Sequence, residues 1–145
     1  MPALVDTNIL LRSAQPNHPL CQPTTRAVAT LLRNRETLFF CPPNIAEFWN
    51  VVTRPAANNG LGISHLDAVA EVRSIEEMLT LLPDSPAIYP EWKRIVKDYK
   101  VTGVKVYDAR LVAIMNVNVV RSILTYNARD FARYTHLSII EPTQV

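Results

Sequence analysis

At 145 residues the chain fits one domain, 1–145, and leaves little room for a second. Apolar residues make up 48%, enough to bury a core without metal or disulfide staples. The 15 Lys and Arg against 13 Asp and Glu, a formal net charge of +2, exclude a strongly acidic or strongly basic chain and do not by themselves indicate nucleic acid.

In chain order, Ala3, Leu4 and Val5 read as a buried strand ended by Asp6, and Ile9, Leu10 and Leu11 open a short helix. QPNHP is a turn, Thr24 to Leu32 a helix, and Leu38 to Cys41 a second strand stopped by Pro42 and Pro43. Asn44 is placed to cap the next helix, which carries Ile45, Phe48, Val51 and Val52 and ends before Pro55. After the loop RPAANNGLG, Ser64 or His65 starts a long helix with a 3.6-residue rhythm to Leu79, and Leu79 to Leu82 is a brief strand. Pro90 suits the first turn of a helix through Trp92, Ile95, Val96 and Tyr99, and another helix starts near Val106. Ser122 to Tyr126 reads as a strand, Asn127 to Phe131 as a short helix, and Leu137 to Ile140 as the last strand. Strands alternating with helices, without a hairpin signal, predict an α/β class: three layers, α/β/α, around a short, mostly parallel sheet.

Cys21 and Cys41 form no CxxC unit and lie far from any His pair, so reduced thiols are expected rather than a zinc site or a disulfide. MPALVDTNILL is interrupted by Asp6 and Asn8, and no apolar stretch approaches the roughly 20 residues that span a bilayer. No membrane association and a cytoplasmic location are expected.

In an open parallel sheet, ligands bind beyond the carboxyl ends of the strands. Asp6 follows the first strand there, Glu47 lies one turn into the helix after the second, Asp108 starts the DARLVA helix, and Asp130 lies just beyond SILTY. Each has a local explanation. Asp6 can cap a helix, Asn44 with Glu47 and Asn127 with Asp130 have capping-box spacing, and Asp108 gains from a helix dipole. Jointly the caps explain less, because four carboxylates on one rim repel and protonate unless a cation compensates. All-oxygen ligands suit Mg²⁺ or Mn²⁺ better than zinc, and such an ion can activate water and neutralise charge on a phosphate.

VDTNILL, AEFWNVVTRP, TGVKVYDARLVA and ILTYNARDFARY, in this order and joined by RPAANNGLG, resemble the PIN-domain nucleases, particularly the bacterial toxin ribonucleases of toxin–antitoxin pairs. The resemblance runs from Leu4 to about Pro142 and implies a metal-dependent endoribonuclease. It implies Asp6, Glu47, Asp108 and Asp130 as the catalytic and metal residues, with Asn8 and Thr125 orienting them and Asn127 supporting the turn. It also implies RNA as substrate, a homodimer and a small antitoxin protein as partner.

Around an acidic pit, RNA needs cations, and the candidates are Arg12, Arg54, Lys105, Arg110, Arg129 and Arg133. Lys93, Arg94, Lys97 and Lys100 share one helix, either as its wet face or as a further RNA contact. Val28 and Leu31, or Val69 and Val72, are candidates for a dimer surface. His18, His65 and His136 are scattered over three elements and suit no general base, and Trp49 and Trp92 follow an apolar rhythm. The alternative function is a non-catalytic nucleic-acid or protein-binding module on the same fold. A phosphoacceptor receiver fits poorly, since no residue after the second strand fits its acceptor Asp better than Glu47.

Overall fold

Each strand is only two or three residues long, and in central β1 the period-2 alternation of side chains serves a core on each face of the sheet. The computed structural model describes residues 1–145 and orders them as β1 (Ala3–Val5), α1 (Thr7–Ser13), α2 (Cys21–Arg33), β2 (Leu38–Phe40), α3 (Pro42–Thr53), α4 (His65–Met78), β3 (Thr80–Leu81), α5 (Ile88–Asp98), α6 (Lys105–Val117), β4 (Ser122–Leu124), α7 (Ala128–Phe131) and β5 (Ser138–Ile140). The sheet runs β3-β2-β1-β4-β5 and all four pairings are parallel. From β1, Leu4 joins one core with Ile123 and the buried faces of α5, α6 and α7. Its neighbours Ala3 and Val5 join the other, with Leu38, Phe40, Leu124 and residues of α1, α3 and α4. These are the three layers that alternating strands and helices lead one to expect, and no helix is long and apolar enough to cross a membrane.

Central β1 is followed by a crossover to β2 on one side, while β4 lies on its other side. That is the topological switch point at which parallel sheets open a crevice. Both residues that leave the sheet here, Asp6 after β1 and Thr125 after β4, are buried.

The helix starts differ from the sequence reading, and each difference has a local cause. The helix expected from Thr24 begins at Cys21, which leaves Pro23 in the first turn where a missing N–H costs nothing. Pro42 and Pro43 do not merely stop β2; they are the first two residues of α3, with Cys41 as its N-cap. Asn44 is therefore not the cap but the third helical residue, and its Oδ1 accepts the Cys41 backbone N–H at 2.9 Å. The RPAANNGLG loop folds back on the end of α3, where Gly60 passes so close that an added Cβ would lie 1.9 Å from the Arg54 carbonyl oxygen. Both cysteines are free, Cys41 buried and Cys21 half-buried. Trp49 and Trp92 each pack against one of the two cores.

Candidate active site

Asp6 is the N-cap of α1, and its carboxylate has two tasks at once. Oδ1 accepts the Thr7 backbone N–H at 2.7 Å, the capping bond. Oδ2 accepts the Thr125 hydroxyl at 2.7 Å and the Asn8 amide at 3.2 Å. Asn8 also donates to Thr125 Oγ1 at 3.2 Å, and its Oδ1 receives the Tyr126 backbone N–H. Thr125 Oγ1 in turn accepts the Asn127 backbone N–H at 2.9 Å. The ends of β1 and β4 are thus bound through side chains, and one orientation of the Asp6 carboxylate is fixed.

Asn44 extends this brace to α3. Fully buried, it donates to Thr7 Oγ1 at 3.1 Å while its carbonyl holds the start of its own helix. Glu47, one turn further along, is thereby set on the wall facing Asp6. The capping-box explanation for Glu47 fails, because Asn44 lies inside the helix. The explanation for Asp130 fails too: Asn127 is the N-cap of α7 but makes no side-chain capping bond, and Asp130 pairs instead with Lys105 Nζ at 2.5 Å.

Asp6, Glu47, Asp108 and Asp130 line one open cleft of about 670 Å³, with Asn8, Asn50, Lys105, Tyr107, Arg110 and Asn127 among its other walls. Of the cations considered from the sequence, only Lys105 and Arg110 line it, both on α6. Arg110 leans out to Asp84 at 3.2 Å. The structure does not bring the others to the cleft wall. Arg12 donates to Gln15, Arg54 folds under its loop to the Asn59 carbonyl with Nε buried and without a partner, Arg133 reaches the Tyr99 carbonyl, and Arg129 makes no ion pair. None of the three histidines lines the cleft.

The electrostatics match a shortage of positive charge. Burial is the main force raising the Asp6 carboxyl above its ordinary value, against the pull of Thr125 and Thr7, and the charges of Glu47 and Asp130 push the same way. Asp108 is pushed up to about 6, first by burial and then by Asp130 and Asp6. No three of these side chains close into a ready-made ion cage. The donor chemistry nevertheless fits a hard divalent ion: all ligands are oxygens, and the Glu47 and Asp108 carboxylates make no hydrogen bond or ion pair inside the protein. Mg²⁺ commonly takes only one or two carboxylates and keeps several waters, so a closed cage is not required.

Asn44, Asn50 and Tyr107 were not among the site residues read from the sequence. Asn44 carries a signal, an amide following two prolines, but in sequence that signal is the same as a cap's.

The PIN domain family matches residues 3–137. No curated protein sequence matches the chain. Among solved structures, the chain is similar to VapBC2 of Rickettsia felis bound to a fragment of promoter DNA, with a TM-score of 0.75 and 13% identity over 97% of this chain and 98% of that one. It is similar to VapBC-1 of Haemophilus influenzae, at 0.70 and 15% over 99% of each chain. It is similar also to VapC20 of Mycobacterium tuberculosis, a toxin that cleaves the sarcin–ricin loop, at 0.65 and 15% over 90% and 94%.

Proposed function

Because the chain belongs to the PIN-domain family, we propose that it is a metal-dependent endoribonuclease, the toxin of a toxin–antitoxin pair. One observation carries the reading: four carboxylates from four separate elements line one cleft, and of its two cations only Lys105 pairs with any of them. Asp6 and Asp108 are the residues we assign to hold Mg²⁺ or Mn²⁺, with Glu47 and Asp130 completing the set directly or through water. When bound, such an ion supplies an acidified water and neutralises charge building on the scissile phosphate.

The chain's own residues have distinct parts in this scheme. Thr125 and Asn8 hold Asp6 in one rotamer, and Asn44 fixes α3 so that Glu47 faces it. Lys105, at the lip, offers a cation to the phosphate backbone as well as to Asp130. The partner we assign is a small antitoxin protein, in keeping with the chain's similarity to a toxin–antitoxin complex from Klebsiella pneumoniae. An apolar groove of about 250 Å³ between α1, α2 and α4, lined by Ile9, Val28, Leu32, Ile75 and Met78, offers it a surface. Homodimerisation through exposed apolar residues such as Val69 of α4 belongs to the same proposal.

A non-catalytic binding module is favoured by one fact, that no three donors are pre-closed around an ion. Cleavage separates the readings. Purified protein is expected to cut RNA with Mg²⁺ or Mn²⁺ and not with EDTA, and Asp6→Asn to lose the activity while keeping its circular dichroism spectrum. Full activity in that variant would reject the assignment.

A further inference from the structure

We propose that single-stranded RNA reaches the carboxylate cleft over the α6–α7 wall, with one base on Tyr107 and its phosphates on a cationic track from Lys105 through Arg133 to Lys100. The proposal rests on the nuclease reading above and adds a direction to it.

The two sides of the cleft are electrically unlike. On the side of α1 and α3, no cation lines the cleft, and Arg12 and Arg54 are engaged within the protein. Behind α3 lies α4, which carries Asp67, Glu71, Glu76 and Glu77 against Arg73 alone. A polyanion approaching from there meets a helix with four acids and one arginine, which Arg12 and Arg54, both off the cleft wall, offset only in part. On the other side, Lys105 opens α6 at the cleft lip. Arg133 lies near enough for its charge to act on Lys105, and its guanidinium reaches the Tyr99 carbonyl at the end of α5 at 3.5 Å. Lys100, the next residue, is exposed and takes no ion pair, as is Lys97 one turn before. The two acids of α5 do not cancel them, because Arg94 occupies both Glu91 and Asp98.

Charge alone attracts any polyanion, whereas Tyr107 selects a flexible single strand. It lines the cleft one residue before Asp108, yet 72% of its surface is exposed, and it stacks on no other ring of the protein. Val104, 75% exposed, extends this apolar lip. Exposed rings alternating with cations are how single-stranded nucleic acid is held without sequence readout, since every base has a face to stack and only a single strand can turn one outward.

The test measures binding and cleavage separately, with fluorescein-labelled twelve-residue oligouridylate and oligoadenylate. Anisotropy in EDTA reports binding, and initial rates with Mn²⁺ report KM and kcat. For Tyr107→Leu we expect roughly ten-fold weaker binding, the scale of one lost base stack, with recovery in Tyr107→Phe. For the double variant Lys100→Gly, Arg133→Gln we expect a higher KM at unchanged kcat, and a salt slope of log Kd smaller by about 1.4, or about 0.7 per lost phosphate contact. Lys100 has φ 52° at the end of α5, where glycine is favoured, so its replacement does not weaken the fold. Arg73→Gln on α4 should change neither quantity. If Tyr107 and the double variant bind and cleave like the wild type, the path is wrong even though the nuclease reading stands. If the wild type binds through these residues but cleaves nothing, the nuclease reading fails and the path remains. If the wild type binds neither oligonucleotide, the path is wrong, and the cations serve an acidic protein surface instead.

Discussion

Two clusters of ionisable side chains stand at opposite ends of the sheet, and they treat their charges in opposite ways. At the amino end, by the start of β4, Arg94 pairs with Glu91 through two nitrogens and with Asp98 through a third, while Asn116 bridges Glu91 to His136. Every acid there has a cation or an amide, and Arg94 holds the Glu91 carboxyl below its usual range. At the carboxyl end, Asp6 and Asp108 are both raised, and of the two cations lining the cleft Lys105 serves Asp130 while Arg110 is drawn out to Asp84. A cluster built for structure satisfies itself. A cluster left short of positive charge at the switch point of a parallel sheet is the one we propose takes its cation from outside.

The comparison can be broken most decisively at Asp6. Asp6→Asn is expected to reduce RNA cleavage by more than the roughly 10–100-fold that loss of an outer-layer partner costs. Thr125→Val, which leaves the carboxylates intact but frees Asp6 to rotate, is expected to fall within that range, and Thr125→Ser to recover most of it. Steady-state rates at saturating Mn²⁺ check both.

Stability should move the other way from activity. A carboxyl raised in the folded state holds a proton that the unfolded chain has released, so ionisation costs folding energy as pH climbs from the ordinary value of 3.8 to about 6 for Asp108. Asp108→Asn is therefore expected to melt above the wild type at pH 7.5 without divalent ions, by about 1 kcal/mol after screening by solvent. The gap should close as pH falls through 6 towards 4, as thermal melts across that range would record. At the other end of the sheet the sign reverses. Glu91→Gln is expected to lose about 0.5 kcal/mol, as befits a partly exposed pair, with cleavage unchanged. Since the Glu91 carboxyl is lowered on folding, its contribution is present above the ordinary 4.5 and fades as pH drops through its folded value.

How much of this was legible in the sequence follows from how local each signal is. The order of strands and helices, the parallel sheet and the placement of acids after strands came from periodicity and from residues a few positions apart. Register with neighbours did not. Asn8 and Thr125 meet across 117 positions and Asn44 and Thr7 across 37, contacts that no window of sequence contains. Short motifs also misled: Asn44 and Glu47 have the spacing of a capping box, but two prolines start the helix earlier and turn the supposed cap into a brace. The cations were least legible, because a long flexible side chain near an acid in sequence can lean away from it in space, as Arg54 and Arg110 do. Lys105 and Asp130, separated by 25 positions, find one another instead.

The most direct test is a calorimetric titration of Mn²⁺ at pH 7.5 into the wild type, Asp108→Asn and Glu91→Gln. We expect the wild type and Glu91→Gln to bind alike and Asp108→Asn to lose most of the affinity, since only the carboxyl-end cluster holds carboxylates without a cation or amide partner. Absence of binding by the wild type, or undiminished binding by Asp108→Asn, would contradict the cleft as a metal centre.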